Sequence, residues 1–222
     1  MTQNEGKKQT KADQVYNYTA SKLNYLHSKS DSGPGKALMA IIRRGVSRKP
    51  GELPELWGLI FEGMPEELFG KKSTSYAEWA VYTALTLYAL HQQGHQDEKK
   101  DEHKNWMYVQ GISLGKAAAM LVKQEKDEER ILNRMNLVAT AVSPYDLAYH
   151  LRGIIQLLSR DAIGLDYARL AKELYLMNND ETANNIKLAW GRDFYSNYIP
   201  DDNEANNTNK TEKIEKENRN VQ

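Results

Sequence analysis

Residues 75–90 read SYAEWAVYTALTLYAL, and this stretch decides the fold class. Ser75 followed three residues later by Glu78 is a capping box. The serine hydroxyl accepts from a free amide of the first turn, and the glutamate reaches back to the serine amide. A helix is therefore predicted from Tyr76 to about Gln93, with Gly94 as its stop. The apolar-rich run from Tyr76 to Leu90 spans 15 residues with threonines inside it. A membrane span needs about 20, so the run reads as a buried core helix.

On either side the periodicity stays helical. Leu38, Ile41, Ile42 and Gly45 trace one face of a helix ending near the Gly51/Pro54 region. Ile131, Leu132, Met135, Val138 and Ala139 form another stripe. Ser143-Pro144 with Asp146 combines an N-cap, a first-turn proline and a capping box, opening a helix with Leu147, Leu151, Ile154, Ile155 and Leu158. Asp166 caps a helix through about Met177, and a last helix from Glu181 to Tyr195 carries Ile186, Leu188 and Trp190. No run alternates at period two with turn signals at both ends. The expected fold is an all-α helical bundle over residues 15–198. Division into two lobes, 15–94 and 105–198, joined by the charged loop at 92–104, stays open. Residues 1–14 and 199–222 are polar; from Pro200 on the large apolar residues are Ile214 and Val221. Neither tail can bury enough surface to offset its ordering entropy, so both are expected to be disordered. There is no internal repeat.

The chain has 222 residues, a formal net charge of zero and no cysteine. A chain of this length buries roughly 70% of its unfolded surface and needs no staple. Without cysteine there are no disulfides, thiolate metal sites or thiol nucleophiles, as fits a reducing cytoplasm. The first residues, MTQNEGKKQTK, hold no apolar stretch, so no secretory signal is read. Zero net charge argues against a free-standing, strongly basic nucleic-acid binder. The charge is nonetheless segregated. Residues 33–51 hold five basic residues (Lys36, Arg43, Arg44, Arg48, Lys49) and no acid, whereas residues 52–67 hold five glutamates and no base. Such blocks create local potentials that the sum hides, or they are two solvated faces of opposite sign.

Catalytic constellations are missing from the sequence. His91 and His95 are spaced i, i+4, with His103 beyond a run of acids, which can present two imidazoles on one helix face. Gly94 falls between them, so a solvated polar loop is the expected reading and no metal is assigned. There is no Glu-x-x-His pair for a di-iron bundle and no P-loop spacing around Gly33-Pro34-Gly35-Lys36. Glu66 and Glu67 are adjacent and point different ways. Trp79, Tyr82 and Trp190 read as core. No catalytic residue and no cofactor is expected.

The basic residues sort by their neighbours. Arg169 has Asp166 and Glu173 at helical spacing and reads as structural; Arg130 has Asp127. Arg43, Arg44, Arg134 and Arg152 have no acid at i±3 or i±4. Arg130 and Arg134 share a helix face at i, i+4, where like charges cost a few tenths of a kcal/mol. Unpaired guanidinium forks on rigid helices suit phosphate oxygens. The competing reading pairs them in space with distant acids, including those of residues 52–67.

Six blocks in order resemble the CasB family, the small subunit of the type I-E CRISPR Cascade complex. They are Ile41-Ile42-Arg43-Arg44-Gly45 with Lys49-Pro50-Gly51-Glu52-Leu53-Pro54; residues 82–92, YTALTLYALHQ; Gly111-Ile112-Ser113-Leu114-Gly115-Lys116-Ala117; Glu129-Arg130-Ile131; His150-Leu151-Arg152; and Trp190-Gly191-Arg192-Asp193-Phe194-Tyr195. Together they span about residues 36–195. The resemblance implies a helical, non-catalytic subunit, present as two copies beside other Cascade subunits and guide RNA in the cytoplasm, with no membrane. It implies a basic surface that holds target DNA, namely the displaced strand and the guide–target hybrid. Carried onto this sequence, the basic positions are Arg43, Arg44, Lys116, Arg130 and Arg152; Arg134 joins them from the helix-face argument. The polar tail at 199–222 and the charged loop at 97–104 depart from the family pattern. An autonomous helical RNA- or DNA-binding protein and a pure scaffold remain as alternatives.

Overall fold

The structure, a computed structural model, describes residues 9–95 and 106–198. Among them the chain forms α1 (Lys11–Lys29), α2 (Gly33–Arg44), α3 (Trp57–Phe61), α4 (Tyr76–His91), α5 (Leu114–Ala119), α6 (Glu125–Ala139), α7 (Pro144–Arg160), α8 (Tyr167–Leu176) and α9 (Asp180–Asn197). Two short 3-10 turns, Pro54–Leu56 and Glu66–Leu68, flank α3. No strand forms among the described residues; Tyr108 and Leu165 make one isolated parallel bridge. The fold is all-α.

α4 is the axis. Fourteen of its 16 residues are buried, and a helix apolar on every side has to be covered on every side. α1, α2, α3, α7 and α8 all lie against it. Its N-terminus is built as the sequence requires. Glu78 N donates to Ser75 Oγ at 3.0 Å and Ser75 N to Glu78 Oε2 at 2.6 Å. The carboxylate also takes Gly70 N at 3.1 Å, so the preceding loop is pinned to the same cap. Ser143 caps α7 through Asp146 N at 3.1 Å. The Asp146 carboxylate takes Val142 N, one residue before the expected partner, and pairs with His150 at 3.1 Å. Asp166 caps α8 through Arg169 N and holds the Gly111 turn through Gly111 N, both at 2.9 Å.

Four expectations change. Residues 11–14 belong to α1 rather than to a disordered tail. Thr10 caps the helix, Ala12 is buried, and Asp13 pairs with Lys172 of α8 at 2.7 Å, a contact that lowers the carboxyl pKa. α2 stops at Arg44 instead of near Gly51, because the chain turns out of the helix through Ser47 at φ 70°; Gly45, just past its end, is pressed onto α4. A Cβ there would stand 2.8 Å from both Tyr82 OH and Thr86 Cγ2. The core is not divided at the 92–104 segment, since α4 packs on α7 and α8 and α1 packs on α8, within one continuous apolar cluster. Finally, His91 and His95 are not a solvated loop. His91 is fully buried with Nδ1 2.8 Å from Tyr167 OH, and His95 Nε2 lies 2.9 Å from Ser159 O. The expectations for residues 1–8, for the 97–104 loop, for His103 and for the 199–222 tail lie outside the described residues.

Past residue 105 the chain is tied straight back to α4. Trp106 Nε1 donates to Tyr88 OH at 2.8 Å and its ring stacks on His27 at 4.0 Å. Met107 N donates to the Gln92 amide oxygen at 3.0 Å. α5 then packs on α9 so closely that a Cβ on Gly115 would stand 2.0 Å from Trp190 O.

Gly115→Ala should therefore destabilise the protein by about 1–3 kcal/mol, the usual cost of forcing a packed core apart; urea titration followed by circular dichroism reads it. A pH effect follows from His91. Burial, reinforced by His95, pushes its pKa down to about 3, whereas the unfolded chain takes up this proton near pH 6.5. Between those values the unfolded state binds more protons, so stability falls as pH drops below about 6.5. His91→Gln should show a shallower loss of unfolding free energy between pH 6.5 and 5 than wild type.

Candidate nucleic-acid interface

The six basic positions predicted from sequence sit on α2, α5, α6 and α7. Three elements meet around Arg152. α2 ends at Arg44, and the chain turns through Ser47, a non-glycine residue held at φ 70°. That left-handed turn presents the Ser47 hydroxyl to α7, where Arg152 Nη1 donates to it at 3.1 Å. The next residue on α7 is Gly153. The Arg134 guanidinium of α6 lies against its bare backbone, with Nη1 3.1 Å from where a Cβ would stand. The structure thus ties Arg152 to the Ser47 turn and sets Arg134 against the adjacent Gly153 backbone, and Arg130 stands one turn from Arg134 on α6.

Their electrostatic states differ. Arg134 and Arg152 have no ion-pair partner among the described residues. Arg130 pairs with Asp127 at 2.9 Å and lowers that carboxyl's pKa, as its spacing implied. Arg44, without an acid at helical spacing, finds Glu55 at 3.2 Å across the loop. Both side chains are about half exposed, so the pair is weak and exchangeable. Arg43 is half-buried, and both it and Arg44 lie in the last turn of α2, where the helix dipole favours cations. Lys116 is half-buried on α5 and no described contact joins it to the arginines.

Arg169 provides the contrast. It pairs with Glu173 at 2.7 Å and Asp193 at 3.0 Å, and Glu173 also takes Trp190 Nε1 at 2.7 Å. Burial raises the Glu173 pKa while these donors oppose the rise. This arginine is consumed inside the fold, as its sequence neighbours suggested.

Sequence reasoning left Arg48, Lys49, Tyr145 and Tyr149 out of the site. Arg48 and Lys49 continue the Ser47 turn, and the Lys49 ammonium lies over the Tyr145 ring, 5.3 Å from its centroid. Tyr145 and Tyr149 are exposed at i, i+4 on α7. Acids at helical spacing mark structural cations only on a helix, and in a turn that spacing carries no information. The acid-free block at 33–51 was the signal that could have kept both cations. No described group of three or more His, Asp or Glu side chains is placed to hold a metal, and no described helix is long and apolar enough to cross a membrane.

Known structures and families place this geometry in context. A CasB from Thermobifida fusca is 31% identical, with a TM-score of 0.67 over 82% of this chain and 97% of that one. A CasB from Thermus thermophilus is 21% identical, with a TM-score of 0.58 over 80% of this chain and 97% of that one. A chain from a CRISPR RNA-guided surveillance complex shares the fold at 17% identity and a TM-score of 0.62, over 82% and 94% of the two chains. No curated protein matches the sequence. The family model of the CRISPR-associated protein Cse2 matches residues 38–195. That span reaches from α2 to α9 and takes in all six basic positions; the chain belongs to the CRISPR-associated Cse2 (CasB) family.

Proposed function

We propose that this chain is the non-catalytic small subunit of a type I-E CRISPR Cascade complex. Beside a second copy of itself, the other subunits and guide RNA, it holds nucleic-acid backbone, both the displaced DNA strand and the guide–target hybrid. The observation that carries the reading is that α7 holds Arg152 on the Ser47 hydroxyl and seats Arg134 against its Gly153 backbone, with no described carboxylate paired to either. Arg43, Arg44, Lys116 and Arg130 extend the basic set. The Thermobifida fusca relative at 31% identity supports family-level transfer, and the surveillance-complex chain shares the fold.

The mechanism is electrostatic. Guide pairing reads the sequence, and opening the duplex exchanges one helix for another of similar stability. Phosphate contacts on the opened strands then tip a near-balanced equilibrium. Guanidinium forks suit this because they bind phosphate oxygens bidentately whatever the base. Helices fixed by a shared core hold those forks in place, so little ordering is left for the moment of binding. A second reading, a pure scaffold whose arginines pair with protein acids, is favoured by one observation, the Arg44–Glu55 pair.

In assembled complex, Arg134→Ala and Arg152→Ala should each weaken target binding at every target sequence alike. Each should flatten the slope of log affinity against log salt by about 0.7, one single-stranded phosphate. Arg44→Ala should do less, since Glu55 already shares that charge. Unchanged slopes in normally assembled complex would overturn the reading, and failure of the variants to enter the complex would support the scaffold role instead.

A further inference from the structure

A cavity of about 210 Å³ opens between the Ser47 turn, α4 and α7. That is below the roughly 300 Å³ at which pockets begin to take drug-sized molecules, so it suits one ring system. Its inner wall is Trp79, Tyr82 and Leu87. The polar groups there are already turned inward. Tyr82 OH donates to Gly45 O at 3.0 Å, and Thr86 Oγ1 donates to Thr83 O at 3.1 Å. The wall therefore offers rings and methyls rather than a hydrogen-bonding code.

The rim has a different character. Tyr145 and Tyr149 stand on the α7 side, and Tyr149 is 66% exposed. Two tyrosine rings one helical turn apart on the outer face of α7 are poorly explained by packing. Arg48 borders the cavity, Lys49 covers the Tyr145 ring, and Arg152 is fixed to the Ser47 hydroxyl. The turn that assembles these groups carries Ser47 in the left-handed region, a conformation that costs energy and persists where surrounding structure enforces it. Flat apolar surface flanked by cations is how proteins bind single strands without sequence preference, stacking bases and tracking the backbone.

We propose that this cavity takes one unpaired nucleobase of single-stranded DNA, stacked against Tyr149 and Tyr145, while Arg48 and Arg152 hold the phosphates beside it. The proposal rests on the reading of the arginine face as a phosphate grip and adds a base to it. Charge selects this occupant over an apolar protein side chain, because the cations beside the aromatic rim complement a phosphodiester. Stacking requires only a π-face, so any base serves, and the strand is held without reading its sequence.

The test compares wild type, Tyr149→Ala and Tyr149→Phe in assembled complex, on target DNA whose displaced strand carries single abasic sites moved along it one position at a time. Tyr149→Ala should weaken binding at least about fivefold, the low end of the stacking effect, with the salt slope of wild type. Tyr149→Phe should bind as wild type does. One abasic position, or a few adjacent ones, should reproduce the loss in wild type and add nothing in Tyr149→Ala. Wild-type affinity in Tyr149→Ala, or a loss that persists on a fully abasic displaced strand, would overturn the proposal. Failure of Tyr149→Ala to enter the complex would also overturn it, marking the cavity as a protein contact. If Arg134→Ala and Arg152→Ala flatten the slope while Tyr149→Ala is silent, stacking alone falls; if those slopes are also unchanged, the phosphate reading falls with it.

Discussion

The burial of α4 on all its sides is the constraint on which the rest of the molecule depends. With 14 of 16 residues out of solvent, this helix cannot lie at a surface. Five other helices are recruited to cover it, and their positions are set by what α4 presents. Gly45 is the clearest case. Its backbone meets Tyr82 and Thr86 so closely that a side chain would not fit, and α2 ends one residue earlier. Two residues on, the chain turns through Ser47. It carries the Ser47 hydroxyl to Arg152, so core packing and placement of the basic surface are one problem.

Arginine is used in two ways here, and the difference is physical. Arg169 meets two carboxylates, one of which is buried and accepts the Trp190 indole N–H. Removing the Glu173 carboxylate would strand the buried Trp190 indole N–H, which is costly. Arg134 and Arg152 meet a glycine backbone and a hydroxyl. Those contacts orient the guanidinium, and no carboxylate among the described residues neutralises it. A cation held in place and left uncompensated is the arrangement that favours a polyanion, since the Coulomb energy is still to be gained when the partner arrives.

Much of this was legible in the sequence, and the reasons divide cleanly. Ser75 with Glu78, Ser143 and Asp166 announced helix starts because caps are local chemistry. Trp79, Tyr82 and Trp190 read as core and are buried. The family blocks carried the recognition. The signals that failed were non-local. His91 sits beside Gly94 and a charged run, so its neighbours said loop, yet the last turn of α4 carries it beneath Tyr167. Residues 11–14 are polar by composition, and only the Asp13–Lys172 pair and the burial of Ala12 reveal that they dock. Glu55 reached Arg44 from eleven residues away, a distance that no helix rule covers. Arg48, Lys49, Tyr145 and Tyr149 were missed because a turn and a helix about 100 residues apart assemble them, and neither alone shows the pattern.

The central claim is that the packed helices hold uncompensated guanidinium groups ready for phosphate. The measurement that addresses it most directly is an experimental structure of the assembled complex on target DNA, read at Arg134 and Arg152. The account predicts phosphate oxygens at about 2.7–2.9 Å from both guanidinium groups, the range of charge-assisted hydrogen bonds, with the Ser47 turn and Gly153 placed as they are here. Carboxylates of a neighbouring subunit on both arginines, with no phosphate in reach, would contradict it.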